Sequence, residues 1–168
     1  MTNKFTKIDS KLILILSGLI FYSWWNIYLT PLIIISIIFN FYLSKFLINK
    51  NYQSKKKILL TTIFLNILFL IILKYLDFLI FNINFILNIN LDFVNLPFPL
   101  AISFITFQTI AYLVDCYDGN IKKNSITEYS LFIIFFPQLI AGPIVNYNNM
   151  MPQFKSLKNK FINKQNIF

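Results

Sequence analysis

Four long stretches of the chain carry apolar side chains without a single charged residue. They are residues 12–44, 58–73, 93–114 and 129–154. A helix that crosses a bilayer needs about 20 mostly apolar residues, and a water-soluble core does not need four such stretches in so short a chain. The pattern therefore predicts an all-α integral membrane protein with about four to five hydrophobic helices.

Prolines and lysines divide these stretches into segments. Thr30-Pro31 separates the first two segments, because proline lacks a backbone N–H and disfavours helix at the residue before it. Pro97 and Pro99 precede the fourth segment, since proline is tolerated in the first turn of a helix. The predicted single partial transmembrane domain has spans at residues 12–29, 32–48, 58–76 and 100–117, then a broken segment at 129–147 and a basic tail at 155–168.

Between the third and fourth spans, apolar and polar residues alternate from Asn82 to Phe93. A period of two favours an extended segment, and a continuing interfacial helix is the alternative. The stretch contains no lysine, as expected of a periplasmic connection. Just before it, Lys74 and Asp77 lie three residues apart on one helix face, where they are expected to form an interfacial or bundle-facing pair.

The last apolar segment is interrupted at membrane depth. It begins with a capping-box pattern from Ser125 to Glu128 and then meets Pro137 and Gly142-Pro143. Such residues break the backbone hydrogen bonding of a helix, which is tolerated only where protein or a cavity shields the freed groups. The sequence therefore predicts a last helix that is broken.

Lysines on both sides of this segment bear on its path. Lys122 and Lys123 precede it, and the tail at 155–168 contains four more lysines. Because lysine-rich connections favour the cytoplasmic side of the membrane, a simple crossing would place one of the two clusters on the wrong side. Residues 129–147 are therefore predicted to form a bent or re-entrant segment that returns to the lysine-rich side.

The composition narrows the classes of function. The 168 residues include fifteen lysines, no arginine and six acids, for a formal charge of +9. The lysines flank apolar runs, which is the arrangement of topology signals and headgroup contacts, so the expected partner is the lipid bilayer and no nucleic acid. The lone Cys116 excludes an internal disulfide and is expected to be buried. No metal-ligand cluster is present, and the absence of histidine excludes Ser–His and Cys–His catalysis.

A polar stripe marks the fourth span. Gln108, Tyr112 and Asp115 fall within about 60° of one another at 100° per residue. The stripe should face protein or water, because a charge directed at lipid costs roughly 2.5–3.5 kcal/mol at mid-membrane. Two interpretations are open for these side chains: they line a substrate path, or they form hydrogen bonds between helices.

Several short segments carry a family resemblance. Residues 96–115, LPFPLAISFITFQTIAYLVD, resemble the characteristic segment of the bacterial membrane-bound O-acyltransferases. Residues 135–144, FFPQLIAGPI, and 151–154, MPQF, are similar to the two segments that follow it in that family. Residues 21–25, FYSWW, and 74–75, KY, match at compatible spacing. The resemblance is to the alginate O-acetylase and peptidoglycan O-acetyltransferase branch more than to the teichoic-acid D-alanyl transfer proteins.

The resemblance implies a multi-pass protein of the bacterial cytoplasmic (inner) membrane that passes acetyl groups across the membrane. The donor would be acetyl-CoA, with no bound cofactor, and a periplasmic partner of the SGNH-hydrolase type would place the group on a polysaccharide hydroxyl. The candidate residues for the substrate path are Gln108, Tyr112, Asp115, Gln138, Gly142 and Pro143. The alternative role is hydrogen bonding between helices for the first three and simple packing for the last three.

One departure from the family limits that expectation. The family's catalytic histidine lies well downstream of the Gly142-Pro143 motif, and this chain ends at Phe168 without a histidine. Acyl transfer to a hydroxyl requires a base that takes the proton. The chain is therefore interpreted as the N-terminal part of an O-acyltransferase, inactive without the missing C-terminal half. The alternative is a non-catalytic membrane protein, such as a transporter-like or accessory subunit, that retains the scaffold.

Overall fold

The described residues of the protein are helical. The computed structural model describes residues 10–49, 53–97, 99–142 and 145–155, and within them there is no strand. The all-α prediction is confirmed. The helices are α1 (Ser10–Trp25), α2 (Thr30–Ile48), α3 (Lys55–Leu87), α4 (Ile102–Tyr117), α5 (Ile126–Ile134), α6 (Phe136–Ala141) and α7 (Tyr147–Lys155), with a 3-10 turn at Ile27–Leu29.

Two stretches of helix among the described residues are long and apolar enough to cross a bilayer. They are Ile27–Ile48, which contains α2, and Lys55–Leu87, which is α3. Shorter apolar helices occupy Lys11–Trp25, Ile102–Tyr117 and Ile126–Leu139. These helices agree with a helical membrane protein, while the number of four to five spans stays a prediction. Most of the tail predicted at 155–168 lies outside the described residues.

The corner between α1 and α2 lies at Asn26, four residues before the predicted break at Thr30-Pro31. Asn26 is extended, with φ −158° and ψ 109°, and its side chain accepts a hydrogen bond from the Tyr28 N–H at 2.9 Å. Helix α2 then begins at Thr30, with Pro31 in its first turn. A break between the first two helices is present, but it lies at Asn26 and not at Thr30-Pro31. Pro31 stands in the first turn of the second helix, because its missing donor has no partner there.

Helix α3 corrects one prediction. It continues to Leu87, past the predicted end at residue 76, so the extended segment predicted from Asn82 is wrong for residues 82–87. The Asn82 side chain donates to the Phe78 carbonyl one turn earlier at 2.7 Å, which lets a polar residue continue the helix. The helix ends where Asn88 adopts φ 51°, a left-handed conformation that asparagine tolerates.

The residues after α3 fold back along it. The Asp77 carboxylate accepts hydrogen bonds from the backbone N–H groups of Val94 at 2.9 Å and Asn95 at 3.1 Å. Lys74 instead donates to the Ser103 hydroxyl at 3.2 Å. The two side chains expected to pair with each other therefore bind the connection and the start of α4, and together they hold α4 beside α3.

Helix α1 packs closely against α5, and the two run in the same direction. Gly18 of α1 lies against Ile134, the last residue of α5. A methyl group on Gly18 would stand 2.5 Å from the Ile134 carbonyl oxygen and would overlap the Ile134 side chain. Small residues allow close approach of helix backbones in membranes, so the absence of a side chain at Gly18 sets the distance between α1 and α5.

Gly18→Ala tests this contact. We expect the variant to lose about 1–3 kcal/mol of stability, as overpacked cores do, with part of the loss offset by the better helix propensity of alanine. The measurement is the midpoint of thermal unfolding of the detergent-purified chain. Ala111→Val, which adds bulk to an exposed position of α4, is the matched control and should change the midpoint little. Equal midpoints for Gly18→Ala and the unmodified chain would contradict the packing.

Candidate functional site

Three tyrosines from three helices pack together in the interior. The Tyr112 ring of α4 lies 4.4 Å from the Tyr129 ring of α5 and 5.1 Å from the Tyr147 ring of α7. Tyr112 and Tyr129 are fully buried, and Phe132 closes the group at 5.4 Å from Tyr147. These separations suit tilted and edge-to-face aromatic pairs. This tyrosine cluster (Tyr112, Tyr129 and Tyr147) therefore fixes α4, α5 and α7 relative to one another.

A short polar network surrounds the Tyr112 hydroxyl. The Asn124 amide donates to the Tyr112 hydroxyl at 2.9 Å and to the Ser44 hydroxyl at 2.7 Å. Ser44 is fully buried on α2 and donates to the Phe41 carbonyl at 2.7 Å. The network therefore connects α2, α4 and the loop before α5. Cys116, one turn after Tyr112, is 1% exposed, which confirms the prediction that it is buried.

A salt bridge lies beside the tyrosine cluster. Lys11 Nζ is 2.8 Å from Glu128 Oε1, and the Tyr147 hydroxyl donates to Glu128 Oε2 at 3.1 Å. The phenol of Tyr147 acts as the donor, because a carboxylate only accepts hydrogen bonds. The group links α1, α5 and α7.

The same contacts correct the predicted capping box. Helix α5 begins after Ser125, as the pattern predicted, but Ser125 forms no side-chain cap hydrogen bond. Glu128 points to Lys11 and Tyr147 instead. A charge-assisted pair is stronger than a neutral cap, so the distant lysine takes the carboxylate that the local pattern assigned to the helix end.

Asp115 has partners outside the tyrosine cluster. Its Oδ1 accepts from the Asn120 amide at 3.0 Å, and its Oδ2 accepts from the Asn146 amide at 3.0 Å. Asp115 is partly exposed, whereas Gln108 and Tyr112 are buried. Two residues of the predicted stripe, Gln108 and Tyr112, are therefore buried. The third, Asp115, holds the start of α7 to the end of α4.

Gln108 makes the contact between helices that was one of its two interpretations. Its Nε2 donates to the Phe132 backbone carbonyl at 2.8 Å, and the side chain is 1% exposed. Among the described residues, no donor lies within hydrogen-bond distance of Gln108 Oε1. A role for Gln108 in a substrate path stays a prediction.

The predicted helix break lies between α5 and α6. Pro137 occupies the first turn of α6, and Gln138 in the same turn is 8% exposed. Gly142 packs against Gln138, since a methyl group on this glycine would lie 2.7 Å from the Gln138 Cγ. Pro143 lies outside the described residues. Gln138 and Gly142 are therefore in contact, one turn apart, and their place in a substrate path stays a prediction.

Sequence reasoning missed one buried polar pair. The Asn66 amide of α3 donates to Asn40 Oδ1 of α2 at 2.7 Å, and the Asn40 amide donates back to Asn66 Oδ1 at 3.2 Å. The available signal was an asparagine inside each of two apolar runs, because polar side chains in membrane helices bind one another. The pair borders an apolar groove of about 380 Å³ between α2 and α3, apart from the predicted site residues.

Among the described residues, no three or more histidine, cysteine, aspartate or glutamate side chains are grouped so that they could bind a metal ion. The arrangement instead offers buried hydroxyl and amide groups around a broken helix. Such groups can orient a polar substrate by hydrogen bonds, and none of them is a base of the histidine type.

The chain is similar to named acyltransferases along most of its length. It is 37% identical to a peptidoglycan O-acetyltransferase of Helicobacter pylori over 94% of this chain and 35% of that protein. It is 28% identical to a probable alginate O-acetylase of Azotobacter vinelandii over 85% of this chain and 30% of that protein. A shorter match, 28% identical over 36% of this chain and 15% of the relative, is to a teichoic acid D-alanyltransferase of Streptococcus thermophilus.

The chain spans about a third of the length of the first two curated relatives. No family model matches the chain, and no solved structure matches it.

The Lys11–Glu128 bridge generates a stability prediction. Its side chains are only 18% and 14% exposed, so Glu128→Leu removes a poorly solvated ion pair and leaves the Tyr147 hydroxyl without this acceptor. We expect a loss of about 1–3 kcal/mol, the usual cost of a buried polar group that loses its hydrogen bond. Tyr147→Phe, which removes only the neutral hydroxyl, should cost less. The measurement is the midpoint of thermal unfolding in detergent. A lower midpoint for Tyr147→Phe than for Glu128→Leu would contradict the role of the salt bridge.

Proposed function

Because the chain belongs to the membrane-bound O-acyltransferase family, with peptidoglycan O-acetyltransferase and alginate O-acetylase among its relatives, we propose that it is part of a membrane enzyme that O-acetylates a polysaccharide. The observation that carries the proposal is 37% identity over 94% of the chain to a peptidoglycan O-acetyltransferase. The substrate would be a cell-surface or periplasmic polysaccharide of the peptidoglycan or alginate type.

The rest of the proposed assembly follows from the same family. The chain would reside in the bacterial cytoplasmic membrane as a multi-pass segment, together with the remaining two thirds of the acyltransferase. Acetyl-CoA would donate the acetyl group on the cytoplasmic side, and a periplasmic SGNH-type protein would complete the transfer. The lysine-flanked helices support contact with the membrane surface.

Within that enzyme the chain would provide scaffold and lining. Gln108 and Tyr112 bring buried polar groups of α4 against α5, and Gln138 adds a buried amide on α6, in contact with Gly142. Interrupted helices line substrate paths in many transporters, which supports the same role for α5 and α6. Acyl transfer needs a base for the hydroxyl proton. The 168 residues contain no histidine, so we propose that they do not transfer acetyl groups by themselves.

The absence of histidine also favours a second candidate, a non-catalytic membrane protein that keeps the scaffold. The DNA downstream of the reading frame separates the two. A continuing or adjacent frame that encodes further spans and a histidine-containing helix supports the enzyme, and unrelated genes after a clean stop support the accessory protein.

A segment exchange tests the enzymatic proposal. In the Helicobacter pylori peptidoglycan O-acetyltransferase, the aligned third is replaced by this chain. We expect peptidoglycan O-acetylation, measured by mass spectrometry of muropeptides, to fall by no more than about tenfold, the effect of roughly 1.4 kcal/mol on a barrier.

Two controls belong to that exchange. The 168-residue chain alone and the relative without its aligned third should both give no acetylation above background. The same exchange in an alginate O-acetylase tests the second substrate class. An exchanged protein that inserts stably in the membrane but acetylates neither polysaccharide would contradict the proposal.

We also propose that residues 129–147 return to the lysine-rich side of the membrane. Two contacts support this path: Asn146 binds Asp115 at the end of α4, and Tyr147 binds Glu128 at the start of α5. Both partners lie close in sequence to Lys122 and Lys123.

Single-cysteine labelling tests the path. In a Cys116→Ala background, Lys122→Cys and Lys158→Cys should react with a membrane-impermeant maleimide from the same side. Asn90→Cys, in the lysine-free connection after α3, is the control for the other side. Labelling of Lys122→Cys and Lys158→Cys from opposite sides would contradict the returning path.

A further inference from the structure

The junction between α5 and α6 leaves a backbone carbonyl without its usual partner. In a continuous helix the Phe132 carbonyl would accept a hydrogen bond from the N–H of residue 136. Here α5 ends at Ile134, and Phe135 has φ −59° and ψ 96°, outside the helical range. Pro137 contributes to the break, because it has no N–H for the Ile133 carbonyl and its ring would clash with that carbonyl in a continuous helix.

Solvent offers no replacement for that bond at this place. Phe132, Ile133 and Ile134 are 1–3% exposed. A carbonyl that loses its partner in such surroundings destabilises the fold unless another part of the protein supplies a donor. The break therefore requires an internal donor.

We propose that Gln108 is a positioning residue that holds the break between α5 and α6 in place by substituting for the lost backbone donor. Its Nε2 lies 2.8 Å from the Phe132 carbonyl oxygen, and its side chain is 1% exposed. The helix that carries it is regular from Ile102 to Tyr117. The regular helix α4 thus supplies a side-chain donor to α5, where the helix is broken.

The neighbouring Thr106 has a different role although it is also buried. Its hydroxyl donates at 2.8 Å to the Ile102 carbonyl of its own helix, so it bonds within α4 and leaves the break untouched. Thr106 is therefore a matched control for Gln108, on the same helix and one half-turn away. The direction of α6, which carries Gln138, depends on Gln108 and is independent of Thr106.

The experiment measures opening of α6 in the full chain inserted in membranes. Leu139 of α6 is 8% exposed, and Leu139→Cys in a Cys116→Ala background reports opening by its rate of reaction with N-ethylmaleimide. Gln108→Met keeps the length of the side chain and removes the donor. We expect labelling about tenfold faster, since opening of a local segment sets the rate. Thr106→Val should leave the rate within about twofold.

A double-mutant cycle makes the inference specific to the break. Pro137→Ala removes the proline at the break, so α5 and α6 can form one continuous helix. The Phe136 N–H can then donate a hydrogen bond to the Phe132 carbonyl. On this background Gln108→Met should change the labelling rate by less than about twofold, because residues that share one interaction are not additive. Equal effects of Gln108→Met on both backgrounds would overturn the proposal.

The outcome stays decisive if Gln108→Met fails to accumulate in the membrane. The Pro137→Ala, Gln108→Met double variant should then accumulate, and its loss beside normal levels of Thr106→Val would overturn the proposal. Any consequence for acetyl transfer rests on the proposed function, whereas the labelling rates do not depend on it. A failed segment exchange therefore leaves the role of Gln108 to be decided by the labelling alone.

Discussion

The hydrogen bond from Gln108 to the Phe132 carbonyl satisfies a buried backbone group, which is a requirement that applies to the whole chain. Backbone polar groups in an apolar interior need partners within the protein. The broken α5–α6 segment is where that need is greatest, and it is held on two sides. Gln108 reaches it from α4, while Gly18 lets α1 approach the last residue of α5. A break in a helix is compatible with this fold because two intact helices enclose it.

The residues beyond the break are fixed by charge and aromatic packing. The Tyr147 ring lies in the tyrosine cluster, and its hydroxyl binds Glu128, which Lys11 neutralises. Asn146 is bound by Asp115 at the end of α4. These contacts bring the start of α7 beside the start of α5. The segment from α5 to α7 therefore has both its ends and its break held by side chains from other helices.

Local patterns predicted the elements better than they predicted the partners. The place of Pro31 in the first turn of α2 follows from the covalent structure of proline. The buried position of Gln108 and Tyr112 follows from the cost of exposing polar groups to lipid. The end of α3 was misjudged because alternating asparagines mimic a strand, whereas Asn82 bonds within its own helix. Glu128 was misjudged because its partner, Lys11, lies in a different helix. Choices between a local and a distant partner depend on packing, which a single sequence does not display.

The segments that carry the family resemblance contain no histidine, and this suggests two kinds of contribution to a site. Residues 96–115 contain Gln108, whose partner Phe132 lies just before residues 135–144. The resemblance thus coincides with residues that shape and fasten a broken helix. On the proposed function, this third of the enzyme would position the interior, and another part would bring the base that removes the hydroxyl proton. Such a division explains how a chain without histidine can keep the interior of an acyltransferase, since the shape of a substrate path and the group that reacts in it are built by different residues.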